Sequence, residues 1–583
     1  MSRSFPIFKL PTRFSLELLL IAGIAIGILL RLLNLGSREF WYDEVLSLLV
    51  SSSQAVNYDG PGPVPVVLRE YTDLLSVPLN AGVQDFANVL KGLVSDVHPP
   101  LSFLLLHFWM RLFGNSEIAT RGLMALISVG AVASAYGLGR FLLGRGGGLI
   151  LAALLATNPY YLSHSLNIRM YAPLVLWAIL SAWAMLHLTG RGNGEPPSVP
   201  PTREEDKDDS LALTRTPAHP LTRSKLFWSA VLIASVAAGL LTQYLFAHWV
   251  ITLGIFALAF DRRRWWQHGM RLGIGVLLTL PWAWWGTRQQ LRNRPNLGGQ
   301  FDSAGGFQHL TDAAQTLGNH LVLGDWATSL PVEVSTVAGT MAIALLAACA
   351  ISLWRIGERR SLAVAFVLGI VPLLIALTVD VVTNKFTVGF GQGRTLIYIL
   401  PGCLLLIATW LLQASGRWLP PAIAALLLLH LTVGVGDYTL RSRAMFHEVA
   451  DLIRQAPTAP TLVAMNSNAW GHVLRLAYYT PPNTSVRLLA RAPAKLAPSL
   501  EKVLQGAEGS KYSRLIFLDS AKPVWSALKT ETQKQTEKRK IEKVLQTAFC
   551  KSKQPCKPTK TQQLSGTMDI DQFTVNLYTR SGK

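Results

Sequence analysis

The chain has 583 residues, half of them hydrophobic and only 15% charged, with a mean hydropathy of +0.32. This excludes a string of ordinary soluble domains and indicates an integral membrane protein, because repeated apolar runs of about 20 residues match the length a helix needs to cross about 30 Å of hydrocarbon. The 54 Lys+Arg against 34 Asp+Glu give a net charge of +20; most basic residues lie in short loops between apolar runs, so they report topology, and no nucleic-acid partner is expected.

The N-terminal stretch carries a basic leader, Arg3, Lys9 and Arg13, ahead of an apolar run that is long for a signal peptide and has no small-residue cleavage site. It reads as a retained first span near 15–35 that leaves from the cytoplasmic side. The following segment, SREFWYDEVLSLLV, then lies outside and places two adjacent acids, Asp43 and Glu44, directly after two aromatics.

The next apolar segment, HPPLSFLLLHFWMRLFG, covers 98–113 and contains His98, His107 and Arg111. If it crossed the membrane, the basic loops at Arg140 and Arg145, Arg262–Arg264 and Arg355–Arg360 would all fall outside, against the positive-inside bias. A short helix lying in the membrane surface puts all three inside. Spans are then expected near 118–139, 148–165, 171–188, 226–243, 245–260, 271–286, 332–354, 362–380, 395–412 and 418–436, about eleven with the first.

Residues 190–225 are Pro-rich and charged and read as a disordered cytoplasmic loop. After the last span the pattern changes: FHEVADLIRQA has a helical period, TLVAM is strand-like, and HVLRLAYY, VRLLA, RLIFLD and FTVNLYT continue an alternation of helices and short strands. The expected organisation is a transmembrane domain over 1–440 and a small extracytoplasmic α/β domain over 441–583. Cys349 and Cys403 lie inside apolar runs and read as packing residues, whereas Cys550 and Cys556 could pair in an oxidising compartment.

Three outside features carry chemistry: WYDE at 41–44, SDVHPP at 95–100 and NIRMYAP at 167–173. Asp43 suits a general base, Arg169 a phosphate ligand through its planar fork of donors, and His98 an orienting group. Each has a plainer reading as well. His98 before Pro99 and Pro100 could end a helix, Arg169 could snorkel, and Trp41, Tyr42 and Tyr171 fit an aromatic belt. The acid pair itself could be solvated loop residues. There is no Walker lysine loop, HExxH, paired CxxC or GxSxG motif, so nucleotide hydrolysis, zinc proteolysis and serine esterase chemistry lack their groups.

Taken in order, WYDE after the first span, DVHPPLSFLLLHFWMRLFGNSEIATRGLMALISVG, ATNPYYLSHSLNIRMYAPL and a late GQGRTLIYILPG resemble the polytopic GT-C glycosyltransferases. The nearest group is the polyprenyl-phosphate-mannose and RgtA/B/C/D-like transferases, related to the lipid A aminoarabinose transferases. The resemblance implies an α-helical polytopic fold with juxtamembrane helices in the first external loop, and it carries the catalytic acid onto Asp43 with Glu44 beside it. It also implies a polyprenyl-phosphate sugar donor, with a glycan, lipid or protein as acceptor, used on the outer face of a bacterial inner membrane. Where many relatives place a second acid before RMY this chain has Asn167, so Asp96 is the candidate second acid, and a divalent metal is left open. His98, Arg169, Tyr171 and Arg394 are the candidates for the donor phosphate. The alternative is an exporter of polysaccharide or lipid-linked oligosaccharide, which would move substrate without making a bond and would leave the acid pair without a task.

Overall fold

The computed structural model describes residues 12–78, 82–190, 220–294, 305–441, 444–482, 484–522, 530–551, 556–566, 568 and 570–580. Most of the loop expected at 190–225 and most of the basic leader lie outside the described residues. The chain divides into two compact units: residues 1–32, 97–102 and 124–435 form one, and residues 33–96, 103–123 and 436–583 the other.

The first unit is helical. All of the runs expected to span fall on helical segments, and among the described residues seven helices are long and apolar enough to cross a bilayer. An eighth span results if Arg359–Gly369 and Val371–Thr383, bent by 40°, are taken together; Pro372 at the start of the second piece cannot continue the helical ladder and accounts for the break. Two further expected spans are short or interrupted: Tyr244–Phe260 falls below 18 residues, and Trp265–Leu277 passes into a π-helical turn at Ala283–Thr287. The remaining difference is a hairpin. Helical residues run from Glu117 to Thr157, but Gly144 has φ +77° and ψ −176°. A Cβ built on Gly148 would stand 2.8 Å from the carbonyl oxygen of Tyr136, whereas an unbroken helix would separate these residues by about 18 Å. The chain therefore turns back at Gly144, which gives the two arms expected at 118–139 and 148–165.

The second unit is built on a six-stranded sheet of order β1-β3-β2-β4-β6-β5. Its strands are β1 (Val66–Val67), β2 (Thr461–Met465), β3 (Val486–Ala490), β4 (Arg514–Ser520), β5 (Lys560–Ser565) and β6 (Gln572–Thr579). The central strands β3, β2 and β4 are parallel, and every residue of β2 is buried. That is the continuous apolar pattern of a strand covered on both faces. Helices Trp470–Tyr479 and Pro493–Gln505 make the crossovers, and β6 closes the other side antiparallel to β4. Leu462, Leu489, Leu500, Phe517, Ile541 and Phe549 belong to its core. Cys550 and Cys556 are joined, with Cα atoms 5.9 Å apart, and Cys349 and Cys403 are buried free thiols.

A cut at 440/441 would separate this sheet from the first loop, yet the loop supplies one of its strands. Val66 and Val67 pair antiparallel with Leu488 and Arg487 and so cover the open edge of β3, where unpaired backbone groups would otherwise face solvent. The segment expected at the membrane surface forms a helix over Leu101–Phe113. Its 13 residues extend only about 20 Å, short of a bilayer crossing. Phe108, Leu112 and Phe113 are exposed on one side of it, while His107 is buried and its Nδ1 lies 2.7 Å from the carbonyl oxygen of Ser51. An apolar outward stripe of this kind suits a helix lying in the membrane surface.

Gly144 occupies a backbone region that side chains rarely enter. Gly144→Ala should cost about 1–3 kcal/mol and lower the melting temperature of the detergent-solubilised protein; an unchanged melt would contradict the hairpin turn.

Candidate active site

In the second unit the two adjacent acids are sorted by helix geometry. Helix Tyr42–Ser51 buries Glu44, Val45 and residues 47–51, and leaves Tyr42, Asp43 and Leu46 half-buried on one face. Glu44 is fully buried and accepts from Nε (3.2 Å) and Nη2 (2.9 Å) of Arg121, itself fully buried. Glu44 also accepts from the backbone N–H of Trp41 at 3.0 Å and so caps the start of its own helix.

The other guanidinium protons of Arg121 go to the carbonyls of Leu35 (2.9 Å), Arg38 (2.7 Å) and Glu39 (3.1 Å), so all five donors of the fork are used. Its charge also lies 5.0 Å from the ring centre of Phe40. Burial alone would raise the Glu44 carboxyl; the charge and hydrogen bonds of Arg121 outweigh it and hold the group below its usual value. Glu44 is thus an anchor, with both oxygens engaged, and Asp43 is the acid of the pair left on the half-buried face. Asp96 is also in this unit, half-buried, with its backbone N–H donating to Leu93 at 2.9 Å.

In the first unit the residues expected around the donor phosphate are held by short irregular elements. Asn158 caps the helix Pro159–His164 by accepting from Tyr161 N–H (2.8 Å), and its amide donates to the carbonyl of His320 (2.8 Å). From this helix an aromatic series runs through the unit: Tyr171 to His164 (5.0 Å between ring centres), His164 to Tyr160 (4.2 Å) and Tyr160 to His320 (4.3 Å). Tyr160 donates to the carbonyl of Gln392 (3.1 Å), Asn319 donates to the same oxygen (3.3 Å), and His320 Nε2 lies 3.0 Å from the carbonyl of Gly393. Burial pushes the His320 imidazole down to about 4 against the opposing pull of that carbonyl, so it is neutral and its Nε2–H is the donor.

The GQG turn so gripped has three successive positive φ values, 56°, 63° and 84° at Gly391, Gln392 and Gly393, and it presents Arg394, whose guanidinium lies 5.6 Å from the ring of Phe390. Arg169, 6% exposed, reaches His98 with Nη2 3.2 Å from Nε2. A guanidinium can only donate, so His98 accepts as a neutral ring with its proton on Nδ1. The carbonyl of His98 is fixed in turn by the amide of Gln290 at 2.9 Å. The structure therefore brings His98, Arg169, Tyr171 and the Arg394 turn into one unit, linked by groups the sequence reading passed over: His164, Tyr160, Asn319, His320 and Gln290. The signal for the first two was available in the Asn158-Pro159 helix start; nothing in the sequence pointed to Asn319, His320 or Gln290. Among the described residues, no three His, Cys, Asp or Glu side chains are grouped to hold a metal ion.

Residues 97–195, which include His98, Arg169 and Tyr171, match the protein family described as dolichyl-phosphate-mannose-protein mannosyltransferase. No curated protein sequence matches the chain. Among solved structures it is similar to the oligosaccharyltransferase of Archaeoglobus fulgidus in complex with Zn and sulfate, at 13% identity over 86% of this chain and 67% of that one, TM-score 0.47. It is also similar to ArnT of Cupriavidus metallidurans bound to undecaprenyl phosphate, at 13% identity over 95% of this chain and 97% of that one, TM-score 0.43. A third is the archaeal oligosaccharyltransferase AglB of Archaeoglobus fulgidus with an inhibitory peptide and a dolichol-phosphate, at 11% identity over 86% and 69% of the two chains, TM-score 0.41.

Removing one member of a buried ion pair strands the other charge, at a cost of about 3–5 kcal/mol. Glu44→Gln should therefore lower the melting temperature markedly while Asp43→Asn leaves it nearly unchanged; equal melts would undo the division of labour. Because the folded Glu44 titrates below its usual 4.5, its contribution holds above that pH and is lost as the pH falls below it.

Proposed function

We propose that the protein is a membrane glycosyltransferase that moves a sugar from a polyprenyl-phosphate donor to an acceptor hydroxyl. The observation that carries this reading is the sorting of the acid pair: Arg121 takes Glu44 as an anchor and leaves Asp43 on the half-buried face of the same helix. The family match over 97–195 supports the reading, because that stretch includes His98, Arg169 and Tyr171. The loop charges support transfer on the extracytoplasmic side, and the membrane in this reading is a bacterial inner membrane.

In this reading Asp43 accepts the proton of the acceptor hydroxyl as its oxygen attacks the anomeric carbon. The bond from that carbon to the phosphate oxygen breaks on the opposite face, the electron pair leaves with the polyprenyl phosphate, and the anomeric configuration inverts through an oxocarbenium-like state. Phosphate is already a fair leaving group, so what remains to be supplied is a base and positive charge where the negative charge grows. Arg169, oriented by neutral His98, and Arg394, presented by the GQG turn, are assigned that second role. Cations count for more at a partly dehydrated position than in bulk water. Tyr171 would bound the donor site, and Asp96 is the reserve acid of the first loop. Glu44 acts through Asp43 by fixing the helix on which both stand.

The test uses the purified full chain and a panel of polyprenyl-phosphate sugars. Asp43→Asn should lower turnover by about 10²- to 10⁴-fold, the range of a lost general base, without loss of fold; near-normal turnover would sink the assignment. Arg169→Ala should raise the KM for the donor by about 10- to 100-fold, as expected for lost charge-assisted hydrogen bonds, and unchanged kinetics would make Arg169 a packing residue.

A further inference from the structure

Arg121 is not the only holder of the acid segment. Within the same unit, helix Trp470–Tyr479 of the C-terminal sheet reaches residues 40–42 through several side chains. Tyr479 Oη accepts from the backbone N–H of Phe40 at 2.7 Å and donates to the carboxylate of Glu117. The Tyr42 ring stands edge-on to His472 with centres 5.6 Å apart, so close to Gly471 that a Cβ there would lie 2.5 Å from it. The Phe40 ring packs edge-on to Tyr478 at 5.0 Å.

Behind these contacts Arg475, fully buried, forks onto Asp571 and points Nη1 at the carbonyl of Phe40 at 3.5 Å. Asp571 also accepts from His472 Nε2 (3.2 Å), and His472 Nδ1 accepts from Ser467 Oγ (2.8 Å). The order Ser, His, Asp is that of a hydrolase triad, but all three side chains are at most 1% exposed and the carboxylate is already neutralised by Arg475. The array is a lock, and its outer face is the backbone of Phe40.

We infer that Tyr479 and the Arg475–Asp571 pair are positioning residues for Asp43: the C-terminal helix fixes the chain just ahead of helix Tyr42–Ser51 and so sets where the Asp43 carboxylate stands. This rests on Asp43 being the general base. Arg121 grips the segment from residue 35 to 44; the C-terminal helix grips 40–42 through different atoms, so that both clamps together, and neither alone, stop the helix start from pivoting. A reacting group misplaced by about 1 Å can lose about 100-fold in rate, so a clamp this close to the base acts on turnover.

Tyr479→Phe removes one hydroxyl and little volume, and it is read in two ways on the full chain in detergent. Hydrogen exchange of the amides in 38–45 should speed up by about tenfold, the loss expected when one hydrogen bond holding a local unit is removed, with helix Tyr171–Leu188 unchanged. With whichever panel donor turns over best, kcat should fall by about 10- to 100-fold while the KM for the donor stays within about twofold. In an Asp43→Asn background the same change should cost less than about twofold, because the clamp acts through a base already removed. Unchanged exchange, or wild-type kcat in Tyr479→Phe with Asp43→Asn inactive, overturns the positioning role and leaves the base in place. Full turnover in Asp43→Asn removes the base, and the positioning role with it. Should Tyr479→Phe lower donor binding and melting temperature together with kcat, the clamp is a general packing contact and the inference fails.

Discussion

The buried ion pair between Glu44 and Arg121 is the constraint on which the candidate site depends. Two charges removed from water at this depth stay folded only if every remaining donor and acceptor is met, and here all five guanidinium protons have partners. Three of those partners are backbone carbonyls of residues 35, 38 and 39, so the pair fixes the main chain leading into the helix as well as the helix itself. A single bidentate contact thereby fixes the helix on which Asp43, next in line, stands.

The first unit shows the same economy with neutral groups. Its irregular pieces, the short helix Pro159–His164 and the left-handed GQG turn, are held by Asn158, Tyr160, Asn319 and His320 bonding to carbonyls of the unit. Backbone that leaves the helical ladder in such a chain needs side-chain partners in place of water. These residues set where Arg394 stands, much as His98 and Gln290 set Arg169. Positive charge at both places therefore stands on irregular backbone braced by buried polar groups.

The sequence made the larger pattern readable where periodicity is strong. The apolar runs, the alternation after 441 and the short helix after Pro99-Pro100 all follow from spacing and length, because long elements carry their own signal. Residues that act through distant partners did not stand out. Arg121 reads as one more cation at the head of a span, since its partner lies 77 positions earlier. Val66–Val67 is too short for any strand signal and pairs only because β3 has an open edge. The polar strand Lys560–Ser565 has no alternation to show it, as most of its side chains are exposed. The acid pair was visible as a site, but which acid is anchored was not, since that depends on the rotation of one helix and on Arg121.

The proposed transfer requires that the chain bind a lipid phosphate, and Arg169 is the ligand proposed for it. This is tested most directly by a structure of the purified full-length protein with undecaprenyl phosphate. The account predicts phosphate density within hydrogen-bonding distance of the Arg169 guanidinium, with His98 still beside it. Phosphate bound away from Arg169, for example at the basic loop Arg262–Arg264, would contradict it.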